Sequence, residues 1–305
     1  MTDATPTQDP PASASSDADR QRIAKRIARA GVCSRREAEA MILDGRVMLN
    51  GQILDTPAVT VNQSDKIVVD GKPLPSAEPT RLWRYFKPRG LVVSNRDEKN
   101  RSTIFDELPQ DMPRVMSVGR LDLDTEGLLL LTNDGGLARY LELPSTGWVR
   151  KYRVRVRGIV DTQKLEALSG GVMIDGIAYQ EIKARLDKQM PSNAWLTLAL
   201  TEGKNREIRH VMDYLGYPVS RLLRLSYGPF QLGKLAENAV EEVKPAVLRD
   251  QLGEMASQFT IQTAAPVPAP QQRRKPAGRR PSRGHGAAKK PAGSTLTLRT
   301  RKPKR

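Results

Sequence analysis

Cysteine is almost missing from this 305-residue chain, histidine occurs twice, and aromatic residues make up only 5% of it. A single cysteine, Cys33, forbids an internal disulfide. Two histidines, His210 and His285, leave little from which to build a zinc site, so neither a disulfide framework nor a structural metal is expected. No apolar run approaches the length of a membrane span. Residues 1–19 carry Asp3, Asp9, Asp17 and Asp19 with no basic residue and no apolar core. They do not read as a secretory signal, which makes the cytoplasm the expected compartment. Acidic residues are absent after Glu254.

That last absence locates the charge. The net charge is +16, and thirteen lysines and arginines lie from Arg273 onward, so the chain before them carries only +3. A polyanionic partner is implied, met largely by a tail. Residues 1–19 and 254–305 are rich in Pro, Ser, Ala, Gly or Lys/Arg with little to bury, and both are expected to be disordered. Between them, 38% hydrophobic residues suffice for two modest cores. Pro73 to Thr80 interrupts the apolar pattern and marks a boundary between domains at 20–77 and 81–253.

In the first domain, Ile23, Ala24, Ile27 and Ala28 form one stripe of a short helix. Ser34-Arg35-Arg36-Glu37 has capping-box spacing for a second, which Gly45 can terminate. Val47 to Leu49, Asn50-Gly51 and Gln52 to Leu54 predict a hairpin, and Lys66 to Gly71 another strand. Residues 20–50 hold eight basic and three acidic side chains, which fits either a solvated helix face or a polyanion-binding one. The run from Ala30 to Glu39, with Gly45-Arg46-Val47-Met48-Leu49-Asn50-Gly51, resembles the S4 RNA-binding domain. The resemblance implies RNA contacts from Arg26, Arg35, Arg36 and Arg46.

The second domain is expected to be α+β and dominated by strands. Leu82 to Phe86 precedes the turn Lys87-Pro88-Arg89-Gly90, Tyr152 to Arg157 alternates an apolar face with three arginines, and Trp195 to Leu200 alternates again. A helix after Gly203 buries Ile208, Val211, Met212 and Leu215, with Arg206 and Arg209 one turn apart on another side.

Gly119-Arg120-Leu121-Asp122-Leu123-Asp124-Thr125-Glu126-Gly127 runs directly into four leucines, so at least one carboxylate is expected at the edge of a buried element, where its ionisation is worth controlling. The spacing imitates a calcium loop, but its twelfth position is Asn133 and leucines fill the interior, so calcium is rejected. Asp122-Leu123-Asp124 as a glycosyltransferase Asp-x-Asp motif lacks a supporting nucleotide fold. For Asp124 and Glu126, turn caps paired with nearby arginines are the expected role.

Four blocks occur in order: the Lys-Pro turn, Gly119 to Asp122, Lys151-Tyr152, and Glu202-Gly203-Lys204-Asn205-Arg206-Glu207-Ile208-Arg209, followed by Arg221 to Arg224 and Tyr227-Gly228-Pro229. Together they resemble the RNA pseudouridine synthases of the small-subunit synthase A group. Lys204 and His210 depart from the pattern, standing where that group commonly has arginine. The resemblance implies a mixed, largely antiparallel sheet and a redox-neutral isomerisation of uridine that needs no cofactor. It assigns the catalytic carboxylate to Asp122, its basic partner to Arg209, and the stacking aromatic to Tyr152. Arg120 is expected to fill the gap left by a flipped nucleotide, its alternative being a salt bridge to Asp124 or Glu126. Lys204, Arg206 and Arg224 are expected substrate-binding residues. Within that resemblance, an S4 domain with a long basic tail suits the members that act on large-subunit ribosomal RNA, which is the expected partner, and a monomer is expected. Two other classes stay open: a non-catalytic RNA-binding or ribosome-assembly factor, and a DNA-binding protein using the tail.

Overall fold

The computed structural model describes residues 20–95 and 97–262. The expected N-terminal segment 1–19 and most of the expected tail lie outside them. The described chain is α+β. Its first part runs β1 (Gln21–Arg22), α1 (Ile23–Arg29), α2 (Arg35–Leu43), β2 (Val47–Leu49), β3 (Gln52–Ile53), β4 (Thr60–Val61), β5 (Ile67–Val69) and β6 (Lys72–Pro73). Ser34 Oγ accepts from the Glu37 amide at 3.2 Å while the Glu37 carboxylate accepts from the Ser34 amide at 2.7 Å, so the capping box starts α2 as the spacing predicts. Asn50 and Gly51 both have positive φ, 51° and 90°, which is the turn that matches strand twist in a two-residue hairpin. Ile23, Ile27, Ala38, Ile42 and Val47 are completely buried, forming this domain's own core.

The second part comprises β7 (Leu82–Lys87), β8 (Met116–Val118), β9 (Thr125–Thr132), α3 (Gly135–Glu142), β10 (Arg150–Arg157), α4 (Thr162–Glu166), β11 (Val172–Ile174), β12 (Ile177–Tyr179), β13 (Ile182–Gln189), β14 (Asn193–Leu200), α5 (Glu207–Tyr214), β15 (Val219–Tyr227), β16 (Phe230–Gln231), β17 (Val240–Glu242) and α6 (Pro245–Leu252). The main sheet has the order β13-β14-β10-β15-β9-β7-β17, with β16 added to β15 and β8 to β9. All its pairings are antiparallel except β15 with β9.

The four leucines explain themselves here. Every residue of β9 is buried, Leu129 and Leu131 in one core and Leu128 and Leu130 in a second core on the reverse face beneath α3 and α6. A strand covered on both faces has no polar phase to show. The first core holds Val154 and Val156 of β10, Leu196 and Leu198 of β14, and Ile208, Val211 and Met212 of α5.

The two domains meet through a polar knot that sequence reasoning missed. Arg29 of α1 lies 3.2 Å from Asp134, whose carboxylate also accepts from Thr80 Oγ1 at 2.6 Å and caps α3 through Gly136 N at 2.8 Å. Arg29 donates further to Glu78 O at 2.8 Å. A second difference concerns the expected tail. Ordered chain continues past 254 as a 3-10 helix, Gly253–Gln258, after which Phe259 and Ile261 pack on the second core and Thr80 N donates to Thr260 O at 2.6 Å. Composition alone misplaced that boundary, because two isolated apolar residues carry the contact.

Gly127 is the tightest point of the sheet. Its φ is +104°, and a Cβ there would sit 2.8 Å from the Arg224 nitrogen and closer still to the Arg224 carbonyl. Gly127→Ala should therefore lower stability by about 3 kcal/mol, the sum expected from a left-handed alanine and an overpacked core. Urea unfolding measures this, and a change within about 0.5 kcal/mol would show that β9 and β15 can separate without loss.

Candidate active site

A cleft of about 760 Å³ opens where the loop between β8 and β9 meets β10, β15 and the start of α5. Three of its lining carboxylates come from different places, and their surroundings separate them. Glu142 accepts from Gly119 N at 2.6 Å and so closes the loop. Glu207, 3% exposed, accepts from Lys204 N at 2.9 Å and keeps its other oxygen unpartnered among the described residues. Asp122 is left: half-buried, with its carboxylate 3.5 Å from Arg206 and 3.9 Å from Arg209.

Both arginines face Asp122 without locking it. Arg206 stands in the left-handed region, φ 49°, at the residue before α5, an uncommon conformation for a side chain of its size. Arg209, one turn further on and 9% exposed, donates to Val219 O at 3.4 Å and Asp124 O at 3.2 Å while its Nε finds no hydrogen-bond partner among the described residues. Burial, and then repulsion from Arg206, push the Arg209 guanidinium below its ordinary value, but an arginine this basic stays charged.

The Asp122 loop is held from beneath. Lys87, completely buried at the end of β7, donates to Pro88 O and Thr125 O, each at 2.9 Å, and to Leu123 O at 3.4 Å. Desolvation lowers its pKa to about 8. Leu121 is buried in the first core, and Thr125 N closes a turn on Asp122 O at 3.0 Å. A carbonyl-bound ammonium therefore fixes the turn that carries Asp122.

Tyr152 and Arg224 are paired across β10 and β15, both in the phase that faces the cleft. The Tyr152 ring packs in the first core and its hydroxyl forms no hydrogen bond among the described residues. Arg224, 2% exposed, donates through Nε to Leu128 O at 2.7 Å, yet its Nη2 has no partner among the described residues. A buried guanidinium N–H without an acceptor is costly, and a ligand oxygen in the cleft would satisfy it. Arg150, missed from sequence, lies beside it: buried, donating to Tyr227 Oη at 2.9 Å and stacked 4.6 Å from that ring. The β10 alternation, extended two residues back from Tyr152, would have found it.

Other expected site residues have different surroundings. Arg120 lines the cleft and is exposed, and it makes no ion pair with Asp124 or Glu126 among the described residues. Glu126 is instead held by Arg221 at 2.6 and 3.0 Å, an arginine-paired carboxylate as its sequence context suggested. Lys204 reaches the cleft, but its ammonium is engaged by Glu202 Oε2 at 2.6 Å and Ala178 O at 2.5 Å. His210 is exposed beside Tyr179 Oη, 3.3 Å away. In the first domain, Arg26 is turned onto its own fold, donating to Asn62 O and to Gln63 O at 3.0 Å, and Arg46 is paired with Asp70 through two bonds of 2.7 Å. Arg35 faces the cleft between the domains, and Arg36 is exposed with no ion pair among the described residues.

Comparison with known proteins adds the family. A model described as RNA pseudouridylate synthase matches residues 82–214, and the S4 domain model matches residues 21–67. The chain is 45% identical over 228 residues to an uncharacterized RNA pseudouridine synthase of Rickettsia felis, covering 75% of this chain and 99% of that protein. It is 42% identical over 222 residues to the ribosomal large subunit pseudouridine synthase B of Yersinia pestis, covering 70% of this chain and 69% of the relative. A solved structure titled as a pseudouridylate synthase matches with a TM-score of 0.54 at 26% identity, over 75% of this chain and 99% of that one.

Glu207 provides a test of the cleft's electrostatics. Burial, joined by the neighbouring Glu202 carboxylate, pushes it from its ordinary 4.5 up to about 7. Between those values the folded protein keeps a proton that the unfolded chain releases, so this group's penalty is relieved as pH falls through 7 and is complete above it. Glu207→Gln carries no such penalty. Its stability relative to wild type should be greatest near pH 8 and decline toward pH 5, measured by thermal unfolding at each pH. A difference independent of pH would return Glu207 to the ordinary carboxylate range.

Proposed function

Since this chain belongs to the RNA pseudouridine synthase family, we propose that it isomerises a uridine of large-subunit ribosomal RNA, with Asp122 as the catalytic carboxylate. The observation that carries the site assignment is the sorting of carboxylates in the cleft: Glu142 and Glu207 are engaged by backbone amides, and Asp122 alone of the three is faced by two arginines that leave it free to react. The 42% identity to a large-subunit synthase and the S4 domain support ribosomal RNA as substrate. We read the chain as acting in the cytoplasm as a monomer.

The reaction breaks the glycosidic C–N bond, turns the detached uracil and rejoins it through carbon 5, with every atom conserved and no net redox change. Asp122 supplies the nucleophile or base near sugar and uracil. Arg206 and Arg209 face its carboxylate at 3.5 and 3.9 Å. Uracil must stay in the cleft while detached, and the Tyr152 ring offers a flat, unreactive surface for it, with a free hydroxyl able to move the carbon-5 proton. Arg224 Nη2 offers a donor to a uracil carbonyl or phosphate oxygen, and exposed Arg120, beside Asp122, can enter the stack vacated by the flipped nucleotide. Lys204 serves less directly, by fixing the turn before α5 through Glu202. Exposed Arg36 and Arg35 are the first-domain residues best free to meet RNA, while Arg26 and Arg46 contribute charge from fixed positions.

Asp122→Asn removes the reacting charge at constant size. Pseudouridine formation should fall by at least about three orders of magnitude with RNA affinity and thermal stability little changed. Asp124→Asn, whose exposed side chain lies outside the cleft, should stay within a small factor of wild type. A more damaging Asp124→Asn would place the site on the wrong carboxylate. A protein that binds ribosomal RNA yet forms no pseudouridine in it would favour the assembly-factor reading.

Tyr152 is tested separately. Tyr152→Phe should bind RNA nearly normally and turn over slowly, and Tyr152→Ala should fail in both respects. Equal, full activity in single-turnover assays of the two variants would make Tyr152 an ordinary core residue.

A further inference from the structure

The strand that presents Tyr152 to the cleft presents a row of cations on its other side. Lys151, Arg153, Arg155 and Arg157 of β10 are all exposed, alternating with buried Tyr152, Val154 and Val156. Strand geometry puts them about 7 Å apart in one line, comparable to the step between phosphates along a nucleic-acid strand. The register extends the row sideways. Arg153 pairs with Thr197 and Arg155 with Trp195 on β14, whose same-face partners on β13 are Arg185 and Lys188, followed by Lys183. The side chains of Lys183 and Arg185 are 76% and 78% exposed.

Opposing charge on this face is sparse. Asp187 pairs with Arg185 at 2.9 Å and Glu181 with Lys183 at 3.6 Å, while Arg221 across from Arg155 is neutralised by Glu126. The four cations of β10 have no acidic partner among the described residues. Arg153 lies over the half-buried Trp195 ring, 4.8 Å from its centroid, which holds its guanidinium in place on the row. Helices α3 and α6 pack on the reverse face with β7, β8, β9 and the end of β15, and no residue of β10, β14 or β13 belongs to that second core.

The geometry points to a second RNA contact on the reverse face of β10, β14 and β13, one that grips the phosphates of a segment distinct from the strand whose uridine enters the cleft. It rests on the reading of this chain as an enzyme acting on a large RNA. Strand alternation places this surface and the cleft on opposite sides of one sheet, so a single short hairpin cannot reach both and only an extended or folded RNA can. The contact reads backbone rather than base, adding affinity and orientation without choosing the uridine.

Two variants test this in the full chain: Arg153→Gln with Arg155→Gln and Arg157→Gln, and separately Lys183→Gln with Arg185→Gln on the edge strand, where exposure makes misfolding no concern. Binding is measured against salt for a folded large-subunit RNA transcript and for a short stem-loop. On the long RNA, each variant should bind several-fold more weakly at moderate salt, with the salt slope falling by about 0.7 to 0.9 for each phosphate that is no longer neutralised. Stem-loop binding, and pseudouridine formation in saturating stem-loop, should not change. Unchanged affinity and slope on the long RNA in both variants would overturn the proposal, as would an equal weakening on the stem-loop. Retained RNA binding with abolished binding to phosphatidylserine vesicles would assign the face to a membrane surface instead. Pseudouridine mapping with the wild-type protein keeps the two readings apart: no isomerisation in either RNA would defeat the enzymatic reading, whereas the salt slopes report on this surface alone.

Discussion

The close approach of β9 and β15 at Gly127 is the constraint on which the site depends. That parallel pairing, from Leu222 opposite Thr125 to Arg224 opposite Gly127, has no room for a side chain at Gly127. It places the strand that leaves the Asp122 loop directly against the strand that carries Arg224. Because β15 also pairs with β10, the same junction brings Tyr152 within reach. The proposed catalytic carboxylate, the proposed stacking ring and the buried guanidinium therefore come from three separate sequence blocks through two strand registers. A slip of one residue in either would turn one of those side chains to the reverse face.

The charge around Asp122 is unbalanced by design of the fold rather than by composition. Lys87, Arg150, Arg209 and Arg224 are all buried, and burial of a cation is unfavourable unless hydrogen bonds or anions compensate. Backbone carbonyls compensate most of them: Lys87 has three such acceptors, and Arg224 one. Carbonyls orient a cation without discharging it. The cleft, lined by more cationic side chains than its three carboxylates, thus keeps a positive potential, which suits a polyanionic substrate. The unpartnered Arg209 Nε and Arg224 Nη2 mark where that compensation stops.

Much of this was legible in the chain. The capping box, the Asn50-Gly51 hairpin and the alternation of β10 are local signals, each fixed by residues within a few positions of one another, and all three appear in the structure. The Asp122 loop was legible because acidic residues abut a buried strand. What escaped depends on distance in sequence. The Arg29–Asp134 contact joins residues whose types say nothing of each other, and Asp134 reads locally as a helix cap, which it also is. Phe259 and Ile261 sit in a stretch whose composition is that of a tail. Arg26 and Arg46 were expected to contact RNA, and a sequence does not reveal that Asn62 and Asp70 fold back to hold them.

The two faces of β10 give the charge pattern its meaning. Strand alternation alone predicts one buried and one solvated face, and a solvated face is satisfied by any polar mixture of residues. Here it is filled by Lys151 and three arginines, while Asp187 and Glu181 face cations on β13 instead. Four like charges along one line repel one another, and an anion of matching spacing laid along the row relieves that repulsion. On the proposed reading, the inner face of the same strand encloses the reacting base while the outer face follows the RNA backbone. One eight-residue strand would then serve both halves of a task that a large RNA poses, finding the molecule and choosing one nucleotide within it.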